Sequence, residues 1–479
     1  MIDFQHIEKY RENNRIEAKK ALGGLPHSIW ETYSAFANSF GGVILLGVEE
    51  YKDKSLHPVN LPDPEDMAEE FWRGMNNPQK VSVNILSRRN IAIHAVDGKR
   101  FLSIEVPRAS RSDKPVYIDG NPMNGAYRRN GEGDYKCTRD EIAAMMRDAA
   151  VQTQDMSVLE NMGTDVFHSG TVHAYRNQMK HCRPGHVWET LDDIGFLSKL
   201  GAVGIGADGM LHPTAAGLLM FGDVQEIVKA YPNYSLDYRG ELENDRKLSE
   251  RIFSSSGDWS GNVYDFYCLV YDRLTRNLDI PKQASASVHQ ALGEALANCL
   301  INADYYGREG ILLIRRSDSI LFSNPGSFRI DIETAKNGGI SDPRNAALIQ
   351  MFNMADIAAR TGSGIPNIFR VWKKQGWAVP EIREDIAPER ITLLLHMKSG
   401  GDALSPDKKS DMERIGKPKV HKAAVMDYLT ENVTADASEI SELLGICDVS
   451  TENLLAGMAA EGMIVAEDTA QHRIYKLKI

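Results

Sequence analysis

Hydrophobic and polar positions along the chain alternate between strand-like and helix-like patterns, separated by polar, glycine-containing breaks. VILLGVEE (43–50) follows the double glycine Gly41-Gly42 and is a short continuous apolar run, the pattern of a buried strand. KRFLSIEVP (99–107) alternates apolar and polar residues, as a half-buried strand does. LHPTAAGLLMFGD (211–223) lies in a stretch of helices and short strands, where Thr214 and Gly217 are expected to set a turn and helix packing without chemistry. VHQALGEALANCLINADYY (288–306) has the apolar periodicity of a long helix. Two strand-like runs, ILLIRR (311–316) and SILFSN (319–324), and a glycine-rich region follow it. Residues 399–419 are polar with scattered Gly and Pro, a linker composition. Three helical patterns then follow, at 420–432, 437–446 (cap at Asp436 or Ala437) and 450–464 (N-cap Ser450), and the chain closes on a hairpin-like piece. The expected segments are 1–150, 151–283, 284–398, the linker 399–419 and 420–479.

Composition narrows the class of protein. A chain of 479 residues fits about three domains at roughly 150 residues each. With 42% hydrophobic and 25% charged residues, each domain can bury a core. No apolar run reaches the roughly 18 residues of a membrane span. The polar, mixed-charge N-terminus lacks the apolar stretch of a secretory signal. Cys137, Cys182, Cys268, Cys299 and Cys447 are far apart and form no CxxC pair, which argues against a zinc site or a disulfide framework and fits a reducing cytoplasm. The net charge of −11 is wrong for a protein that coats DNA non-specifically, so any nucleic-acid contact needs a local basic patch.

RENNRIEAKK (11–20) brings Glu12, Glu17 and Lys19 close together. If residues 15–20 are extended, Glu17 and Lys19 share one face. The strand 43–48 ends in Glu49-Glu50, and carboxylates gathered from two element ends can hold a divalent metal. Such a metal activates water or steadies a leaving phosphate oxygen, with a nearby lysine neutralising charge. The alternative is solvated surface charge paired among Glu12, Glu17, Arg11, Arg15 and Lys19. Arg88, Arg89, Arg108, Arg111, Arg128, Arg129 and Lys136 are candidate phosphate contacts in loops or at strand ends.

The succession E-x4-E-x-K, AFANSFGG (35–42), GVEE (47–50) and YRRNGE (127–132) resembles the Schlafen AlbA-type domain over most of residues 8–148. That resemblance implies a metal-dependent, RNA-cleaving site on Glu12, Glu17 and Glu50, with Lys19 beside them. Ala18 stands where the family usually has Phe, and Glu50 where its nucleases have Asp.

In the helix at 288–303, Glu294 and Asn298 are four residues apart and share a face, with Asn302 and Asp304 one turn later. Gly362 and Gly364 in RTGSGIPNI (360–368) allow backbone amides close to a phosphate, at the start of a helix expected near Ile365. Together with SNPGSF (323–328) and DPRN (342–345), this order resembles the divergent ATPase region that accompanies AlbA-type domains, similar to the GHKL (Bergerat) ATP-binding fold. The resemblance implies that Glu294 polarises the attacking water and Asn298 binds Mg²⁺. It also puts Asn324 and Gly326 at the adenine-side turn and Gly362 and Gly364 in the phosphate lid. The family has His at position 302 and Arg at 303, and standard members use Asp at 324.

The implied fold class is α+β multidomain: a Schlafen AlbA-type N-domain, a helical and strand connector, a GHKL-like α/β sandwich and a C-terminal winged helix. The third tail helix carries Glu452 and Glu461 and no Lys or Arg, so only Asn453, with His472, Arg473, Lys476 and Lys478 on the wing, suits DNA. A protein-contact or dimerisation role is the alternative for the tail. Three functions stand side by side: an ATP-regulated, Mg²⁺- or Mn²⁺-dependent nuclease acting on RNA more than DNA, by family analogy a stress or phage-defence effector; an ATP-responsive DNA-binding regulator; and an interaction protein with a vestigial ATP site. Partners would be nucleic acid and a second copy of the chain, with no membrane.

Overall fold

The computed structural model describes residues 2–241, 248–278, 280–358 and 362–397, and in the tail 422, 425–426, 428–430, 432, 434–444, 448–460, 463–468 and 473–477. The segment 399–419 lies outside the described residues, as do 359–361 of the glycine-rich motif. The chain divides into two compact units, Met1–Val151 and Gln152–Ile479. Among the described residues, no helix is long and apolar enough to cross a membrane.

The first unit runs β1 (Ile16–Lys19), α1 (Ile29–Asn38), β2 (Gly42–Leu46), β3 (Val48–Glu50), β4 (Leu56–Pro58), α2 (Pro64–Met75), β5 (Ile91–Val96), β6 (Lys99–Val106), α3 (Pro122–Gly125), β7 (Tyr127–Asn130), β8 (Gly133–Lys136) and α4 (Arg139–Ala149). Its main sheet has the order β1-β2-β6-β5. β1 lies parallel to β2, with Glu17 opposite Ile44, and α1 makes the crossover that a parallel pair requires. The apolar run 43–50 is broken in two at Gly47, whose φ of +84° is a left-handed conformation that favours glycine; β3 leaves the sheet there and pairs with β4.

Helix α1 is buried from Ile29 to Asn38 except at Glu31, so its polar residues need internal partners. Asn38 supplies them: its Nδ2 donates to Val116 O (2.7 Å) and Tyr127 O (2.9 Å), and its Oδ1 accepts from Val116 N at 2.8 Å. Thr32 Oγ1 donates to Asp134 Oδ2 at 2.7 Å. These bonds clamp the β7–β8 ribbon onto the helix and put the middle of β7 in the interior.

The second unit opens with α5 (Ser169–Cys182), α6 (Asp193–Leu200), β9 (Val203–Ile205), β10 (Leu211–Pro213), α7 (Ala215–Phe221) and α8 (Val224–Ala230). Thr214 caps α7 by accepting from Gly217 N at 3.0 Å, and a Cβ at Gly217 would stand 2.1 Å from Ala202 O, so a side chain there would collide with backbone. Next come β11 (Leu236–Glu241), β12 (Leu248–Phe253), α9 (Val263–Thr275), α10 (Lys282–Ile301), β13 (Ile311–Arg315), β14 (Ser319–Pro325), α11 (Ile332–Asn337), α12 (Ala346–Met354), α13 (Gly364–Gln375), β15 (Glu381–Ile386) and β16 (Glu389–His396). The six strands form one sheet, β12-β11-β13-β14-β16-β15, in which only β11 and β13 pair in parallel. Helix α10 packs on β14 and along α13. It starts earlier than the expected 288 and ends at Ile301 rather than 306.

In the tail, β17 (Thr434–Asp436), β18 (Ile464–Asp468) and β19 (Arg473–Leu477) make a sheet in the order β17-β19-β18 beside helices Ala437–Leu444 and Asp448–Ala460. Asp436 is the cap of the first of these: its Oδ1 accepts from Glu439 N, and Glu439 Oε2 accepts from Asp436 N, both at 2.9 Å. The second helix begins at Asp448, so Ser450 falls inside its first turn and not at the expected cap. Arg239 of β11 donates to Ser441 Oγ at 2.7 Å, tying the tail to the main sheet.

Candidate functional site

Two sites emerge, one in each unit. In the first, β1 is extended as expected and puts Lys19 Nζ 2.8 Å from Glu17 Oε1. Glu17 Oε2 meets Arg129 Nη2 at 2.8 Å. Glu12, just before the strand, accepts from Ala18 N at 2.9 Å. Burial pushes the Glu12 carboxyl above the usual carboxylate range; the Ala18 N–H pulls it back, and the charges of Glu17 and Glu50 push it up again. The three predicted acids therefore form one electrostatic cluster. Glu50 Oε2 reaches Lys54 at 3.2 Å, whereas its Oε1 is buried without a hydrogen-bond partner. Neighbouring Glu49 turns to Lys20 at 2.5 Å, outside the cluster.

Glu12 and Glu50 suit a hard divalent cation: both are oxygen donors, one is crowded by like charge, and one has a buried oxygen to spare. Glu17 is already held by two cations. Among the described residues, no group of three His, Cys, Asp or Glu side chains stands arranged to hold a metal ion.

The basic candidates separate. Arg128 and Arg129, expected in a loop or at a strand end, lie within β7 and are buried. Arg129 is spent on Glu17, on Asp134 Oδ1 at 2.9 Å and on Asn13 O at 3.0 Å, and it stacks over the Phe36 ring at 5.2 Å. Arg128 lies 3.7 Å from Glu141. Neither is an exposed phosphate contact, because clamping of β7 onto α1 draws both inside. Arg88 and Arg89 sit in a short exposed turn, with Arg88 paired to Glu69 and lying over Trp72; Lys136 is exposed at the end of β8. In the tail, Arg473 and Lys476 lie on β19, where Lys476 pairs with Glu467; His472, Lys478 and the Asn453 side chain lie outside the described residues.

The second site is an open cavity of about 490 Å³ lined by α10, α12, α13 and the sheet β14-β16-β15. Glu294, Asn298, Asn302, Asn324, Gly362 and Gly364 all line it. Asp304 and Gly326 do not. Because α10 stops at Ile301, Asp304 lies in the following loop, where its Oδ1 accepts from Tyr306 N at 3.1 Å. Gly326 (φ +102°) is backed by the Arg344 guanidinium.

The long cavity wall is α10. Burial raises the Glu294 carboxyl above its ordinary range, against the pull of amide donors from Asn367 and Gln290. Beside it, at the start of α13, Gly362 has a φ of +65°, and a Cβ at Gly364 would lie 2.9 Å from Asn298 Nδ2. A Cβ at Gly362 would lie 2.5 Å from Ile340 O, so both glycines are required by close packing; at the N-terminus of the twelve-residue α13 that begins there, backbone N–H groups and the helix dipole favour an anion.

Sequence reasoning gave no role to Arg329, Arg344, Gln290 or Asn367. Arg329 and Arg344 line the cavity, and Arg344 locks the NPG turn by donating to Ser327 O at 2.8 Å and Asn302 O at 3.2 Å. The DPRN motif contained Arg344. Asn367 carried no signal, since its partner is 73 residues away.

The architecture is thus a mixed α/β multidomain protein with an acidic cluster in one unit and a nucleotide-sized cavity in the other. Residues 12–138 match the Schlafen AlbA_2 family model, and residues 310–393 match the HATPase_c_4 model, described as "Putative ATP-dependent DNA helicase recG C-terminal". Residues 143–237 match a domain family of unknown function. The chain therefore carries a Schlafen AlbA_2 domain and a recG-like ATPase-type domain, a pairing that points to a nucleic-acid-related, ATP-binding protein.

Among solved structures, the chain is similar to the DIP2311 protein of Corynebacterium diphtheriae, at 16% identity over 97% of this chain and 92% of that one, with a TM-score of 0.40. It is also similar to the N-terminal domain of a "Putative ATP-dependent DNA Helicase RecG-related Protein" from Nitrosomonas europaea. There the identity is 30% over 29% of this chain and 95% of that one, with a TM-score of 0.23. No curated protein matches the chain significantly.

Proposed function

We propose that the chain is an ATP-binding, metal-dependent nuclease that cleaves RNA in preference to DNA. The observation that carries this reading is the crowding of Glu12 by Glu17 and Glu50, with Glu50 Oε1 buried and without a partner. Carboxylates that repel one another inside a fold are relieved by a shared cation. Glu12 and Glu50 would hold Mg²⁺ or Mn²⁺, with Glu17 completing the set by reorientation. The ion would supply an activated water and charge neutralisation at the phosphate. Lys19, paired with Glu17 at 2.8 Å here, is released by that reorientation to neutralise the departing phosphate oxygen. Arg88, Arg89 and Lys136, the exposed basic candidates, draw the backbone of the nucleic acid.

In the second unit, ATP occupies the cavity with its phosphates at Gly362 and Gly364. Glu294 polarises the attacking water, and Asn298 binds the Mg²⁺ that accompanies the nucleotide. A GHKL-like module gates the nuclease by favouring one of two states. The tail, whose described helices and three strands suit a winged helix, contributes a contact surface to a homodimer.

A second reading, an ATP-responsive DNA-binding regulator, is favoured by one observation: Glu17 is already neutralised by Lys19 and Arg129. One experiment separates the two. Structured RNA, single-stranded RNA and duplex DNA are incubated with Mn²⁺ or Mg²⁺, with and without ATP, beside a Glu12→Gln/Glu50→Gln variant. Metal-dependent cleavage of RNA that the variant loses is the expected result. Intact substrates with a shifted DNA band would establish the regulator instead.

A further inference from the structure

Glu294 is held from two directions. Gln290, one turn back on the same helix, donates Nε2 to Oε1 at 3.1 Å and moves with it. Asn367 donates Nδ2 to Oε2 at 2.8 Å from a different element, α13. The orientation of the Asn367 amide follows from its other neighbour. Arg370 Nη2 stands 2.5 Å from Asn367 Oδ1, and a guanidinium has no acceptor, so Oδ1 must face Arg370 and Nδ2 must face Glu294. The same helix begins at Gly364, against Asn298 at the phosphate end of the cavity. Asn367, which does not itself line the cavity, therefore links two elements that do: the helix that would receive phosphate and the carboxylate that would orient water.

We propose that Asn367 is a positioning residue for ATP turnover, which aligns the Glu294 carboxylate from the phosphate-binding helix. This rests on the cavity being an ATP-hydrolysing site. An amide donor favours the charged, water-polarising form of Glu294, and burial opposes that form. Loss of the donor leaves Gln290 alone on Oε1 and lets the carboxylate turn. It also raises the pH below which Glu294 is protonated and inactive. Nothing in this arrangement requires Asn367 to touch the nucleotide, so substrate affinity is spared.

The test is steady-state ATP hydrolysis by the full chain across pH, for wild type, Glu294→Gln, Asn367→Ala and Asn367→Asp. Glu294→Gln lowers kcat by about 10²–10⁴ if it acts in proton transfer. For Asn367→Ala the expected loss in kcat is about ten- to hundredfold, the scale of a misplaced reacting group. Its KM stays within a factor of about two, a kcat-only loss, and its acid limb moves to higher pH. Asn367→Asp, which sets a second carboxylate beside Glu294, moves the limb further. Circular dichroism and unchanged binding of a fluorescent ATP analogue guard against misfolding. If Glu294→Gln abolishes turnover while Asn367→Ala keeps wild-type kcat and pH profile, this inference fails alone. If the wild type does not hydrolyse ATP, or Glu294→Gln changes nothing, the ATPase reading fails and this inference with it.

Discussion

Arg129 is the most exacting test of the first unit's interior. Its side chain is 1% exposed, and it answers two carboxylates, Glu17 at 2.8 Å and Asp134 at 2.9 Å, whose own side chains are 13% and 12% exposed. It also donates to Asn13 O from Nε (3.2 Å) and Nη2 (3.0 Å). Arg129→Met keeps the bulk over Phe36 but takes the guanidinium from nearly buried Asp134 and leaves Glu17 with Lys19 alone. Breaking a buried pair by removing one partner costs about 3–5 kcal/mol. For a unit of this size each kcal/mol moves Tm by roughly 2–4 °C, so the expected drop is about 10 °C. Differential scanning calorimetry of the full chain reads it, as a shift confined to the transition of the unit Met1–Val151. Arg129→Lys recovers little, because one ammonium cannot span Glu17, Asp134 and the Asn13 carbonyl as a planar fork does. Adding Glu17→Gln and Asp134→Asn to Arg129→Met removes the stranded charges and restores most of the loss. A shift below about 2 °C for Arg129→Met, under 1 kcal/mol by the same conversion, would refute the assignment of Arg129 to the interior.

Two further outcomes are expected. The raised Glu12 pKa means that the fold favours the protonated acid, so this group's contribution is at its best below its unfolded pKa and is lost as pH rises through its folded one. Glu12→Gln, which still accepts from Ala18 N, should then raise Tm at pH 7 but not at pH 4, and should blunt any Tm gain from Mn²⁺; equal shifts at both pH values would contradict the crowding. Gly364→Ala puts a Cβ 2.9 Å from Asn298 Nδ2, which the Asn298 amide relieves by turning aside; displacing that amide should weaken binding of a Mg²⁺–ATP analogue by calorimetry, and unchanged affinity would remove Asn298 from the site.

Local elements were legible because their signals are local. The apolar run 43–50 and the alternation at 99–107 mark β2, β3 and β6, since strands bury one or both faces with period two. Glu294 and Asn298 share a helix face by arithmetic, and both line the cavity. Boundaries were less legible: α10 runs back to Lys282, beyond the strongest periodicity, and ends before Asp304. That one-turn difference decides which of the two, Asn302 or Asp304, faces the cavity.

The sequence by itself placed several elements, among them β2, β6, α10, β13 and β14, pointed to the two matched domain types and put Glu294 and Asn298 on one face of α10, because periodicity and motif spacing are properties of neighbouring residues. Only the tertiary structure decided where charge resides. YRRN looks like an exposed basic strand end, yet β7 is clamped to α1 through Asn38, and Arg129 turns inward to Glu17, 112 residues earlier in the chain. Asn367 likewise finds its partner in Glu294, 73 residues away. Burial and ion pairing depend on contacts between distant segments, and residue type alone does not encode them.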